Sequence, residues 1–245
     1  MTTSYRAALD EEWDKLKNVY DDEGAFAFTF PQTAAYDTPF HLAVFSQSEE
    51  PLQSFLDKAK ADPMAKPKYL ATNIYGNTAL HEAAANGNIE AVRILVKHDK
   101  EIREDRNREG ETQPLLEVIN NEGETPLFKA AAYGQTEVVS YLAGESCTNG
   151  QLKDIHRMKK KPETSILHAA IQGENFETAL FLLKEVDESL ATAVDGNGMT
   201  SLELLATMPS AFRSGYRMSI WGSILYLCPL IDAKRRIGFP ILGRI

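Results

Sequence analysis

Cysteine is scarce in this chain. Cys147 and Cys228 are the only two in 245 residues, they stand in no C-x-x-C spacing, and no Asn-x-Ser/Thr sequon occurs. That count excludes a disulfide scaffold and a cysteine-ligated zinc site, and it sets the expectation of a reducing, cytoplasmic setting. Residues Met1 to Arg6 lack the basic and then apolar pattern of a secretory signal. Positive charge is also short. Lys and Arg number 26 against 35 Asp and Glu, a formal charge of −9, so phosphate backbones and anionic lipid are poor partners and a neutral or basic protein surface fits better. Long apolar runs are missing too. The 218–231 run contains Gly222 and Pro229 and falls short of the roughly 20 residues that a spanning helix needs. It is expected as the second helix of a terminal helical pair, the alternative being a helix lying at a membrane surface.

Catalytic motifs are absent as well. His81-Glu82-Ala83-Ala84-Ala85 opens like a zinc-protease helix, but Ala85 stands where the second histidine is needed. Gly196-Asn197-Gly198 is followed by Ser201 in place of the glycine of a dinucleotide fingerprint. No Walker loop, nucleophile elbow or paired Cys/His cluster is found. The expectation is a non-catalytic chain with no cofactor and no metal.

What is present is one stretch and its copies. In residues 76–96, Thr78 can cap a helix, Gly76 and Gly87 suit positive φ at a turn and a helix end, and Ala83 and Ala84 let helices approach closely. Leu80, Ile89, Val92 and Leu95 supply an apolar stripe. The Thr78 position recurs at Thr2, Thr38, Thr125, Ser165 and Thr200, and third after it stand Tyr5, His41, His81, Phe128, His168 and Glu203. A helix pair this small cannot bury its stripe alone and must stack on its copies.

This pattern resembles the ankyrin repeat. The resemblance implies an all-α ankyrin-repeat solenoid of about six helix-turn-helix units with degenerate capping repeats. Its domain spans 1–233, with a degenerate first repeat over 2–36, repeats from 37, 73, 120, 162 and 195, and a disordered tail over 234–245. Phe26, Phe28 and Phe30 read as an extended segment, and Gln47 replaces the inter-helix glycine of its unit. Two stretches exceed the repeat. Asp99 to Glu111 is crowded with mixed charge and reads as a finger or loop outside the core; Glu145 to Glu163, with Lys159-Lys160-Lys161-Pro162, reads as a solvated loop faintly like a nuclear-import signal. The repeated histidines are expected to bond turn backbone rather than a metal.

Residues Thr164 to Ile171, Asp195 to Thr200 and the run Leu204-Leu205-Ala206-Thr207-Met208-Pro209 through Gly215 are similar to plant ankyrin-repeat proteins that carry a C-terminal PGG membrane domain. Tyr5-Arg6-Ala7-Ala8-Leu9 with Trp13 resembles the opening of their first repeat. No PGG motif or transmembrane helix is present in these 245 residues. The resemblance implies a protein-interaction module in plant stress or defence signalling, with full-length membrane-anchored ankyrin/PGG relatives as candidate partners. By alignment with the repeat, the candidate protein-binding residues are Ile74, Tyr75, Asn77, Asn86, Asn121, Glu122, Glu124 and Tyr133, with aromatic side chains beside polar ones as an interface requires.

Overall fold

The structure, a computed structural model, describes residues 10, 12–15, 18, 31–46, 49–61, 68–105, 113–148, 151–160 and 162–208. The first expected unit apart from a few residues, the Phe26 to Phe30 segment, Gln47, the 218–231 run and the 234–245 tail lie outside them. Residues up to Leu204 form one compact unit, and of the second unit only residues 205–208 are described.

Four helix pairs follow one another: α1 (Pro39–Ala43) with α2 (Glu50–Ala61), α3 (Ala79–Asn86) with α4 (Ile89–Asp105), α5 (Pro126–Ala132) with α6 (Thr136–Ser146), and α8 (Ile166–Gln172) with α9 (Phe176–Phe181). α9 continues into a π turn over Leu182–Val186, and α10 (Ser201–Ala206) opens the next unit. The first helices pack in one row, α1 on α3 on α5 on α8, and the second helices in another, α2 on α4 on α6 on α9. Between the rows lie Phe40, Leu56, Leu80, Leu95, Leu127 and Leu142, each fully buried.

A ladder of side chains ties unit to unit. Gly87 and Gly134 take φ of +76° and +74° at the ends of α3 and α5, a region open to glycine at little cost. The next polar residue then reaches back across the stack: Asn88 Nδ2 donates to the Val44 carbonyl at 2.7 Å, Gln135 Nε2 to Ala85 at 3.0 Å, and Asn175 Nδ2 to Ala132 at 2.8 Å. These carbonyls would otherwise be open at helix ends. A Cβ on Gly134 would stand 2.3 Å from Asn175 Oδ1. Gly134→Ala is therefore expected to lower stability by about 1–2 kcal/mol, the cost of a left-handed backbone in an L-residue. A urea titration checks it, and an unchanged midpoint would mean that the turn relaxes to another conformation.

Where they are described, the two excess stretches differ from the loops expected of them; residues 106–111, 149, 150 and 161 lie outside the described residues. Residues 99–105 continue α4, and Asp99 is buried, accepting from Tyr69 Oη at 3.0 Å and from the Leu115 amide at 3.2 Å. A carboxylate with two such donors belongs inside the fold, which the mixed charge around it concealed. The second stretch folds into two antiparallel hairpins, β1 (Cys147–Thr148) with β2 (Gln151–Leu152) and β3 (Met158–Lys160) with β4 (Glu163–Ser165), joined by the short helix α7 (Asp154–Arg157). Arg157 pairs with the buried Asp187 at 2.9 Å, and Asp187 also accepts from the Ser189 amide and hydroxyl. Lys159 lies half-buried, 3.3 Å from Glu124 Oε1 and over the Phe128 ring. That lysine is part of the fold and not of a solvated run.

Candidate functional site

Except before α8, which follows the β3–β4 hairpin, the described units begin with a turn whose geometry comes from one polar side chain. Asn73 Oδ1 accepts from the Tyr75 and Asn77 amides, Asn120 Oδ1 from the Glu122 and Glu124 amides, and Asp195 Oδ1 from the Asn197 and Met199 amides. Such side-chain bonds mimic a backbone turn and hold it closed. Gly76, Gly123 and Gly198 complete these turns at φ of +73°, +77° and +76°. In the earliest described turn, Thr33 plays the asparagine's part, and Tyr36 occupies the glycine position at φ +61°.

The repeated histidine then pins each turn to its neighbour. In α3 the Thr78 amide donates to His81 Nδ1 at 3.1 Å, which leaves the ring proton on Nε2, 3.0 Å from the Glu124 carbonyl of the next unit. His41 repeats this with Thr38 and Asn77, and His168 reaches the Met199 carbonyl at 2.9 Å. Burial holds the His41 and His81 imidazoles neutral, pushing His81 down to about 3. Phe128 stands where α5 would carry this histidine. His156, brought in by α7, places Nδ1 3.1 Å from Thr125 Oγ1, so a ring from the inserted segment sits against the cap of the unit that lacks its own. Burial also lowers His156, to about 4.

Beneath the turn tips runs a network across three units. Asn73 Nδ2 donates to Asp37 and Glu82, Asn77 Nδ2 to Glu82 at 2.7 Å, and Asn120 Nδ2 to Asn77 Oδ1 at 2.9 Å and to Glu124 at 3.1 Å. This corrects two expected contact residues. Asn77 is only 3% exposed with its amide engaged on both sides, and Glu124 is half-buried between Asn120 and Lys159. Both sit too deep and too fully bonded to meet a partner. The tips themselves are open. Tyr36 and Tyr75 are each 57% exposed, Ile74 46% and Tyr133 61%, and Asn86, Asn121 and Glu122 are exposed. The Ile74 amide donates to the Ala35 carbonyl and the Asn121 amide to the Tyr75 carbonyl, which sets Tyr36, Ile74, Tyr75 and Asn121 on consecutive turns side by side. Asn121 Nδ2 donates to the Ile74 carbonyl, so this amide is half committed to the stack. Tyr133 lies apart, at the end of α5, with Lys129 Nζ 6.0 Å from its ring centre. The residue missed in the sequence is Tyr36. Its signal is its place two before Thr38, where Gly76 stands two before Thr78.

Paired helices stacked in two rows, with histidine-pinned turns along one edge, define a repeat solenoid of the kind that binds other proteins. A family model described as ankyrin repeats (3 copies) matches residues 40–154 and 107–192. The chain belongs to the ankyrin-repeat family. It is 26% identical over 162 residues to the nuclear factor NF-kappa-B p105 subunit of Gallus gallus, covering 66% of this chain and 14% of that protein. It is 28% identical over 145 residues to a putative ankyrin repeat protein of Rickettsia bellii, covering 58% of this chain and 77% of that one. An ankyrin-repeat domain is a protein-interaction module, typically a non-catalytic scaffold. No helix among the described residues is long and apolar enough to cross a membrane.

Proposed function

We propose that the chain holds a partner protein on its turn tips, with Tyr36, Ile74 and Tyr75 as the apolar centre and Asn121 and Glu122 at the rim. One observation carries this reading: three large exposed side chains stand on two adjacent turns whose bases are locked by the asparagine and carboxylate network. Rigid tips lose little freedom on binding, and tyrosine brings contact area with few rotatable bonds. The chain's charge of −9 and the exposed Glu122 favour a partner with basic residues beside its apolar ones. Tyr133 and Asn86, at the far ends of α5 and α3 from the turn tips, are the outlying members of the proposed site.

The narrower reading is signalling in plant stress or defence, with full-length membrane-anchored relatives among the partners. It is supported only by the resemblance of residues 164–171, 195–200 and 204–215 and of residues 5–9 with Trp13. Affinity capture from the native cell followed by mass spectrometry names the partner. Tyr75→Ala with Tyr133→Ala is then expected to weaken capture about 30-fold, equivalent to about 2 kcal/mol, at an unchanged thermal midpoint. Full-strength capture by the folded double variant would move the site off these residues.

A further inference from the structure

The inserted segment also walls a cleft of about 670 Å³, a volume ordinary for small-molecule sites. Most of the charge around it is already matched. Lys100 pairs with Glu145, and Lys153 with Glu117 at 2.6 Å, each pair bridging two elements. Asp99 is bonded by Tyr69 and Leu115, and Glu104 is exposed at the rim, where solvent screens it.

Three lining groups are left with capacity. Ser146 is 3% exposed, and its Oγ has no hydrogen-bond partner, an arrangement folded proteins rarely leave unanswered. His156 is 1% exposed, and among the described residues only its Nδ1 is hydrogen-bonded, to Thr125. Arg103 makes no ion pair among the described residues; its charge acts only at a distance on Asp99. Pro114 and Leu116 form the apolar wall. A guanidinium fork matches a carboxylate in shape, and a hydroxyl lining the same cleft can donate to one of its oxygens. One uncommitted cation suits a monoanion, since a phosphate dianion would need a second.

We propose that this cleft binds a small organic carboxylate, with Arg103 and Ser146 holding the carboxylate oxygens, His156 beside them, and Pro114 and Leu116 packing the apolar body. The site stands apart from the turn tips and depends on the chain's two departures from the repeat, the extended α4 and the inserted α7.

The probe is benzoate, titrated into the full chain and followed by saturation-transfer NMR and by the His156 ring resonances, which His156→Gln identifies. Benzoate is expected to bind with a Kd of about 1 mM and to shift the His156 signals, and Arg103→Gln to weaken it about tenfold with an unchanged circular dichroism spectrum. Ser146→Ala is the second variant. It removes an unpartnered buried hydroxyl, so it should raise the thermal midpoint while weakening benzoate, a combination that a purely structural serine would not produce. No binding at about 10 mM benzoate, undiminished binding in either variant, or displacement of benzoate by inorganic phosphate would each overturn the proposal.

Discussion

Leu127→Ala is expected to cost about 2–5 kcal/mol, the largest effect of any single truncation proposed here. Leu127 has no exposed surface and sits on α5, which packs against α3 on one side and α8 on the other. Removing its branched end opens a cavity bordered by two neighbouring units. The flanking helices are held in place at both ends, by His81 on the Glu124 turn and by Gln135 and Asn175 on helix-end carbonyls, so collapse around the gap is restricted. Because each unit of a solenoid leans on its neighbours, the loss should appear as a lower midpoint for the stack and not as local fraying. Denaturant unfolding measures it, and a loss below about 1 kcal/mol would mean that the stack closes over the cavity. Partner capture below the midpoint should be untouched, the opposite of the tyrosine pair.

Most of the stack is legible in the sequence because the repeat places the same residue type wherever the same backbone strain or contact recurs. Thr38, Thr78, Thr125 and Ser165 open helices, and Gly76 and Gly87 adopt positive φ. His41, His81 and His168 bond the turn of the next unit, the structural role their common position implies. What is illegible lies where the partner is a particular side chain of another unit or of an inserted stretch and not a recurring backbone group. Asn77 reads as a turn-tip residue until Asn120, 43 positions later, takes up its Oδ1. Glu124 reads as a free acid until Lys159 arrives from an inserted hairpin. Asp99 and His156 sit in charged stretches that periodicity assigns to solvent, and only Tyr69, Leu115 and Thr125 explain their burial. Phe128 in the histidine position is the one local sign that the inserted segment has something to replace.

Stability is expected to fall by about 4 kcal/mol between pH 7 and pH 5 through two histidines alone. The ordinary imidazole pKa is 6.5, and burial lowers His81 to about 3 and His156 to about 4. A depressed histidine is neutral in the fold and takes up a proton on unfolding once the pH is below 6.5. Its contribution is therefore whole above pH 6.5, declines through the window below, and is gone once the pH reaches the folded value. At pH 5 both groups are still neutral in the fold, so each has lost about 1.5 pH units at 1.4 kcal/mol per unit, whatever the depth of its folded pKa. His41 and His98, also lowered by burial, act in the same direction. Asp99 opposes them, because burial raises its carboxyl and the folded state takes up that proton first. The geometry says why the fold resists the proton: a hydrogen on His81 Nδ1 would face the Thr78 amide that donates to it, whereas the Nε2–H bond to the Glu124 carbonyl would remain. Urea unfolding at pH 7, 6 and 5 reads the slope. His81→Gln and His156→Gln, each less stable at pH 7, should each remove about 2 kcal/mol of the loss on going to pH 5. A slope that persists undiminished in the double variant would place the acid sensitivity elsewhere in the stack.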